Sequence, residues 1–139
     1  KDVNTYASAP APPTIIQTID SIHNTLGIDF PAADFFYPYF VDDLLEVSSN
    51  LAYLGVTTVS NKKCFHIAGT TLDKSYQIWI ADDQTFLPVK LSIVSVKAGS
   101  DEHYTALYEE WVLNPTLDNA MFDFKAPADA LKIRFSVKK

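Results

Sequence analysis

The stretch YQIWIADDQTFLPVKL, residues 76–91, decides the fold because it reads as two strands joined by a turn. Apolar residues recur at every second position in both halves, a period that indicates strands with unlike faces. These positions are Tyr76, Ile78, Ile80, Leu87, Val89 and Leu91. Turn-forming residues at Asp82–Asp83–Gln84 separate the two halves. We therefore expect a central hairpin of a sheet, with Trp79 on the face opposite Tyr76.

The bulk composition excludes several classes of function. A chain of 139 residues fits one domain, and we expect a single domain over residues 1–139. The net charge of −6 and the eleven scattered Lys and Arg residues argue against binding to nucleic acid or to an anionic membrane surface. The single cysteine, Cys64, excludes an intrachain disulfide, which fits either a reducing compartment or a periplasmic protein without disulfides.

The part of the chain before residue 50 is predicted to be mainly helical. A short strand through Tyr6 and a proline-rich segment precede Thr14, which stands at an N-cap position. Apolar residues then follow helical spacing, and Gly27 supplies a stop. We predict an amphipathic helix over 15–26 and a second, shorter helix over 41–47.

An aromatic segment lies between these two helices. Six of the eleven residues from 30 to 40 are aromatic: Phe30, Phe35, Phe36, Tyr37, Tyr39 and Phe40. Pro31 and Pro38 divide the segment into short pieces. The aromatics therefore either pack in the core or form the lid or wall of a hydrophobic pocket, because short proline-broken helices move readily.

The chain after Asn50 reads as consecutive strands with short turns, which predicts an antiparallel meander. The turns are expected at Ser60–Asn61–Lys62, Asp82–Asp83–Gln84, Ala98–Gly99–Ser100–Asp101 and Asn114–Pro115. The later strands are expected over 88–97, 103–113, 120–124 and 131–138. The fold class is therefore α+β, with short N-terminal helices beside an antiparallel sheet.

The sequence offers little catalytic chemistry. Cys64 and His66 share a face of a predicted strand, and a thiol beside an imidazole is the pairing that activates a cysteine nucleophile. A buried Cys acting as a small hydrophobic residue explains the same pattern. No metal-binding, phosphate-binding or hydrolase motif is present. We expect a protein without enzymatic activity, metal or cofactor.

The order of several short segments resembles a family of bacterial predicted periplasmic proteins, the domain of unknown function 2092. The segments are APAPPT, PAADFFYP, AYLGV, CFHIAG, YQIWIADDQTFLPVKL, YTALYEEW and FDFKAPADALKI. The resemblance implies a periplasmic location and a fold similar to that of the lipoprotein carriers LolA and LolB. In that fold a curved, unclosed antiparallel half-barrel has helices packed on its concave face, where the carriers hold the acyl chains of lipoproteins.

The resemblance also carries two differences. Family members begin with a signal peptide and further strands, so we expect this chain to match the C-terminal two-thirds of the family domain. Near the end, the family has two prolines followed by a glycine, whereas this chain reads APADA. Missing strands would expose a sheet edge, and we therefore expect self-association, through the strand near residues 1–6.

Two main hypotheses for function follow. The first is non-enzymatic binding of a lipid or a lipoprotein acyl chain in a hydrophobic cavity between sheet and helices. Its candidate lining residues are Phe35, Phe36, Tyr39, Phe40, Leu44, Trp79, Trp111, Ile16 and Ile19. The alternative is an envelope protein-interaction or sensing module that uses the half-barrel as a scaffold.

Overall fold

The computed structural model describes residues 4–135 of the chain. Its helices are α1 (Ile15–Leu26) and α2 (Phe40–Val47), with 3-10 turns at Ala33–Phe36 and Asn119–Phe122. Its strands are β1 (Thr5–Tyr6), β2 (Ser49–Val59), β3 (Lys62–Thr70), β4 (Lys74–Ala81), β5 (Pro88–Ser95), β6 (His103–Leu107) and β7 (Leu131–Lys132). Among the described residues, no helix is long and apolar enough to cross a membrane.

The contacts divide the described residues into two compact units. One unit runs up to Tyr37 and resumes at Leu113, and the other is Pro38–Val112. The first unit contains α1, β1 and β7, whereas the second contains α2 and the main sheet. Each unit is described by itself below.

Within the second unit, the main sheet has five strands in the order β2-β3-β4-β5-β6, and every neighbouring pair is antiparallel. The sheet is open in the described part of the chain, with β2 and β6 at its edges. The expected α+β class, the antiparallel meander and the central hairpin are confirmed. Ser60 (φ 47°) and Asn61 (φ 63°) join β2 to β3 with left-handed backbone at both positions, the geometry that matches strand twist in a two-residue turn.

The two faces of the sheet follow from its register. Tyr76 pairs with Gly69, whereas Trp79 pairs with His66 on β3 and with Lys90 on β5. Since neighbours along a strand point to opposite faces, Trp79 lies opposite the Tyr76 face, as predicted. The Tyr76 face is almost wholly apolar across β3, β4 and β5: Phe65, Ile67, Tyr76, Ile78, Ile80, Leu91 and Ile93.

In the first unit, α1 has the boundaries predicted for it. The side-chain oxygen of Thr14 accepts a hydrogen bond from the Gln17 backbone N–H at 3.2 Å, which caps the first turn. Gly27 has φ 66°, and its N–H donates to the His23 carbonyl at 2.9 Å. The apolar positions Ile16, Ile19, Ile22 and Leu26 are half-buried.

The prediction that the last strand continues the meander is wrong. β7 pairs in parallel with β1, and the Leu131 N–H donates to the Asn4 carbonyl at 2.9 Å. The Asn4 side chain also donates to the Asp129 carboxylate at 3.0 Å, which fixes the approach to β7. The described strand is Leu131–Lys132, and residues 136–138 of the predicted strand lie outside the described residues.

Two other strand predictions are also wrong. The strand expected over 103–113 ends at Leu107. Beyond it, the Tyr108 N–H still donates to the Val89 carbonyl at 2.8 Å, and the Trp111 indole N–H donates to the Pro88 carbonyl at 2.8 Å. The strand expected over 120–124 is a 3-10 turn. Its start is capped by Asp118, whose carboxylate accepts from the Ala120 N–H at 3.0 Å.

Candidate functional site

Three aromatic side chains and one valine form a row on the Tyr76 face, and we call Tyr53, Val56, Phe65 and Phe86 the aromatic strip. The ring centroids of Tyr53 and Phe65 are 6.4 Å apart, and those of Phe65 and Phe86 are 6.3 Å apart. Tyr53 and Phe86 each remain 62% exposed, although both are large apolar side chains. Contiguous exposed apolar surface of this kind is typical of interaction and ligand-binding sites.

Strand register positions the first three members of the strip. Val56 pairs directly with Phe65, and Tyr53 pairs with Ile67, so both β2 side chains share the Phe65 face. A register shift between Tyr53 and Gly55 separates them, and Gly55 accommodates it with φ 95°. The bulge therefore allows two side chains that are three residues apart to point to the same face.

A loop places the fourth member. Phe86 lies between β4 and β5 with φ 49°, and its ring stacks on Phe65 at an interplanar angle of 18°. The Asp83 carboxylate accepts hydrogen bonds from the Thr85 N–H at 2.8 Å and from the Thr85 hydroxyl at 2.6 Å. These bonds lower the pKa of Asp83, so the carboxylate that holds the loop stays ionised.

The apolar face becomes more buried away from the strip. Tyr76, Ile78 and Leu91 are buried, and the Tyr76 hydroxyl lies 2.7 Å from the hydroxyl of Ser48, the residue that ends α2. Phe40 and Leu44 are half-buried and lie four residues apart, on the side of α2 that Ser48 continues. The face therefore grades from packed core near Ser48 to open aromatic surface at the strip.

The opposite face carries a polar stack instead. The ring of Trp79 lies 4.3 Å from that of His66, and the Lys90 ammonium lies 4.6 Å from the Trp79 ring centre on β4. His66 also shares a 2.8 Å hydrogen bond with Gln77. Trp79 is only 9% exposed, because these partners cover it. Its contacts are those of a packed side chain, on the face that the aromatic strip does not occupy.

Cys64 and His66 share this second face, as expected from their spacing, but they have separate partners. Cys64 is fully buried beside Ala81 and Val89, and its thiol donates to the Lys62 carbonyl at 3.4 Å. Burial raises the pKa of the Cys64 thiol, which disfavours the thiolate that a nucleophile requires. The arrangement suits a small buried side chain better than a reactive one.

The structure distributes the other predicted lining residues over both units. Ile16, Ile19 and Phe35 are half-buried in the first unit, and Phe36 in the same unit is exposed. In the second unit, Tyr39 precedes α2 and is exposed.

Of the predicted set, the second unit brings Phe40 and Leu44 together on one side of α2. Trp111 stacks on Tyr108 at 5.4 Å, away from the ladder.

Sequence reasoning did not include the aromatic strip among the candidate residues. The strand pattern of LAYLGVTTV, residues 51–59, contains the signal for Tyr53 and Val56. Phe86 carries no such signal, since it belongs to a loop. In the part of the chain that the structure describes, no three His, Cys, Asp or Glu side chains group as a metal ion requires.

Comparison with known proteins identifies the family. A family model described as "Predicted periplasmic protein (DUF2092)" matches residues 1–136. Neither the curated proteins nor the solved structures gave a match. The match covers nearly the whole chain, as the resemblance of the ordered segments implied. The chain therefore belongs to the DUF2092 family of predicted periplasmic proteins, and its location is the periplasm.

Proposed function

We propose that this periplasmic protein binds a hydrophobic ligand, a lipid or a lipoprotein acyl chain, without enzymatic activity. The exposed aromatic strip on an otherwise apolar sheet face is the observation that carries the proposal. Such a surface offers a ligand apolar contact and few polar groups. An acyl chain matches this chemistry, because it gains free energy from burial and needs no hydrogen-bond partners.

The arrangement of the rings in the strip suits a single acyl chain. Burying apolar surface contributes roughly 25 cal/mol per Å² before the ordering costs of binding are subtracted. Tyr53 and Phe86 flank Phe65, so a chain lying across the strip would contact all three rings in sequence. Several rings in one row suit an elongated, flexible ligand better than a compact polar one.

The proposal extends to the surroundings of the strip. We take the open sheet as a half-barrel similar to that of LolA and LolB, with the Tyr76 face as its ligand-holding side. Phe40 and Leu44, on the half-buried side of α2, belong to the same second unit and would complete the apolar lining. Trp79 is assigned a packing role, because its side chain points to the other face.

Displacement of a fluorescent fatty-acid probe tests the proposal. We expect the Phe86→Glu variant to bind the probe at least tenfold more weakly, because a carboxylate in the strip must be desolvated beneath the acyl chain. The matched control is Leu72→Glu, since Leu72 is 98% exposed in the turn between β3 and β4. This turn lies one strand length, ~25 Å, from the loop that carries Phe86.

The outcome is decided by comparing the two variants with the parent chain. Circular dichroism first verifies that both variants fold. Equal probe affinity in all three proteins, or no binding by the parent chain, would overturn the proposal. Native mass spectrometry and lipid analysis of an organic extract add an independent readout, in which a co-purifying fatty acid or phospholipid is expected.

A second candidate function is protein interaction in the cell envelope. The long, apolar edge strand β2 favours this alternative, because strand edges recruit extended segments of other chains. If the parent chain does not bind acyl chains but binds an extended peptide, this result would favour a function in protein interaction.

A further inference from the structure

We infer that the ligand of the aromatic strip is a free fatty acid, whose carboxylate pairs with the ammonium group of Lys63. This inference rests on the proposed binding of an acyl chain and deepens it, because it names the chemical group at one end of the ligand. An acyl chain that is held in an ester or amide linkage has no such carboxylate.

Lys63 lies next to the strip, on the same face of the sheet. It pairs with Thr58 of β2 and stands two residues before Phe65 on β3, so alternation places its side chain on the Phe65 face. From Lys63 to Ile67, the partner of Tyr53, the strand rises ~13 Å. A chain whose carboxylate meets Lys63 can therefore extend over Phe65 toward Tyr53.

The charge of Lys63 is available to a ligand. Lys63 is exposed, and no residue within the described range 4–135 forms an ion pair with its ammonium. Asp82 stands opposite Lys63 and donates its N–H to the Lys63 carbonyl at 2.8 Å, but the two side chains form no ion pair. Lys62 points to the other face, where its ammonium donates to the Glu109 carbonyl at 3.1 Å. Lys74 begins β4, at the end of that strand far from Asp82.

The surroundings of the strip favour a fatty acid over other anionic lipids. A single row of rings suits one acyl chain, whereas most phospholipids carry two. Lys63 supplies one positive charge, which matches one carboxylate. Asp82, opposite Lys63, would repel a second negative charge such as that of a phosphate monoester. One chain and one negative charge together describe a fatty acid.

Two ligands with chains of equal length test the inference. Laurate and dodecanol differ at the head group, and of the two only laurate carries a carboxylate. Each ligand is titrated against the protein with the uncharged fluorescent probe phenylnaphthylamine, at about pH 8, where the carboxylate is ionised and the lysine is protonated. We expect Lys63→Met to weaken laurate binding about fivefold, the size of an exposed ion pair, and to leave dodecanol binding unchanged.

Three further variants isolate the charge from other effects. Lys62→Met makes the same substitution at the adjacent residue, whose side chain points to the other face, and should leave both affinities unchanged. Lys63→Arg keeps the positive charge and should retain the affinity for laurate. Phe86→Glu, within the strip, should weaken both ligands. Unchanged dodecanol binding by Lys63→Met also shows that this variant is folded.

The outcomes separate this inference from the proposed function. If the parent chain binds both ligands and Lys63→Met weakens neither, or weakens both equally, the inference is overturned while acyl-chain binding stands. If Lys62→Met weakens laurate binding as much as Lys63→Met does, the effect belongs to net charge and the inference is overturned as well. A parent chain that binds neither ligand would overturn the proposed function, and this inference with it.

Discussion

The ring of Tyr76 lies directly over the backbone of Gly69, its partner across β3 and β4. A methyl group at Gly69 would stand 2.5 Å from the Tyr76 Cζ atom, well inside van der Waals contact. The ring cannot easily move aside, because Tyr76 is buried and its hydroxyl is hydrogen-bonded to Ser48. Gly69 is therefore required for lack of a side chain, and its φ angle lies outside the left-handed region.

The first prediction concerns this contact. We expect Gly69→Ala to reduce the free energy of unfolding by about 1–3 kcal/mol, the range for overpacking a core. Urea denaturation measures the change. Tyr76→Leu in the same chain should make the Gly69→Ala change less costly, because the ring is removed. An equal cost of Gly69→Ala in both backgrounds would contradict the steric explanation.

The second prediction concerns the thiol of Cys64. Burial raises its pKa in the folded chain above the value of about 8.5 for an exposed thiol. As the pH rises past the unfolded pKa, the unfolded chain loses its thiol proton first. The stability that the Cys64 thiol contributes is therefore complete below the unfolded pKa. It decreases as the pH rises from the unfolded to the folded pKa.

Thiol reactivity and urea denaturation check this prediction. We expect Cys64 to react slowly with an aromatic disulfide reagent in the native chain and rapidly in urea. Leu107→Cys supplies an exposed thiol for comparison. Between pH 8 and 10, the Cys64→Ala variant should lose less stability than the parent chain. Fast native labelling of Cys64 would show that the residue is accessible after all.

The third prediction concerns the cap of α1. Thr14→Ala should cost about 1 kcal/mol, since the Gln17 N–H loses its acceptor at the helix start. Thr25→Ala, near the end of the same helix, is the matched control and should be neutral or slightly stabilising, because alanine has the higher helix propensity. Urea denaturation of both variants measures the difference, and equal effects would refute the capping role.

The fourth prediction concerns the stack on Trp79. Lys90→Met keeps the length of the side chain but removes its charge, and we expect a loss of about 0.5–1 kcal/mol of stability. Lys74→Met, at the start of the same strand as Trp79, is the control and should change stability less. The double variants with Trp79→Leu complete a thermodynamic cycle. If Lys90→Met costs as much without the indole ring, the cation–π contact contributes nothing.

Local patterns predicted the local structure of this chain. Thr14 and Gly27 define α1 because capping depends on residues within one turn. The opposite orientations of Tyr76 and Trp79 follow from alternation, which needs no tertiary information. The prediction was wrong where a distant partner decides the structure. β7 pairs with β1 across more than 120 residues, and the Trp111 indole N–H donates to the carbonyl of Pro88, 23 residues away.

The candidate site was harder to predict for the same reason. The high proportion of aromatic residues in 30–40 led to the prediction that several of them line a pocket. The exposed strip instead combines Tyr53 and Phe65 from paired strands with Phe86 from a loop. The sequence does not indicate the β-bulge at Gly55, and the bulge changes which β2 side chains share a face. The left-handed backbone at Phe86 was also not predicted, because the residue is not a glycine.

The parallel pairing of β1 with β7 makes a circular permutant of this chain feasible. Asn4 and Leu131 are hydrogen-bonded neighbours, so a short flexible linker could join the two ends of the described chain. New termini could then be opened in the two-residue turn at Ser60 and Asn61, which lies on the surface. Such a circular permutant would turn the β2–β3 hairpin into two terminal strands, while the former ends would become an internal loop.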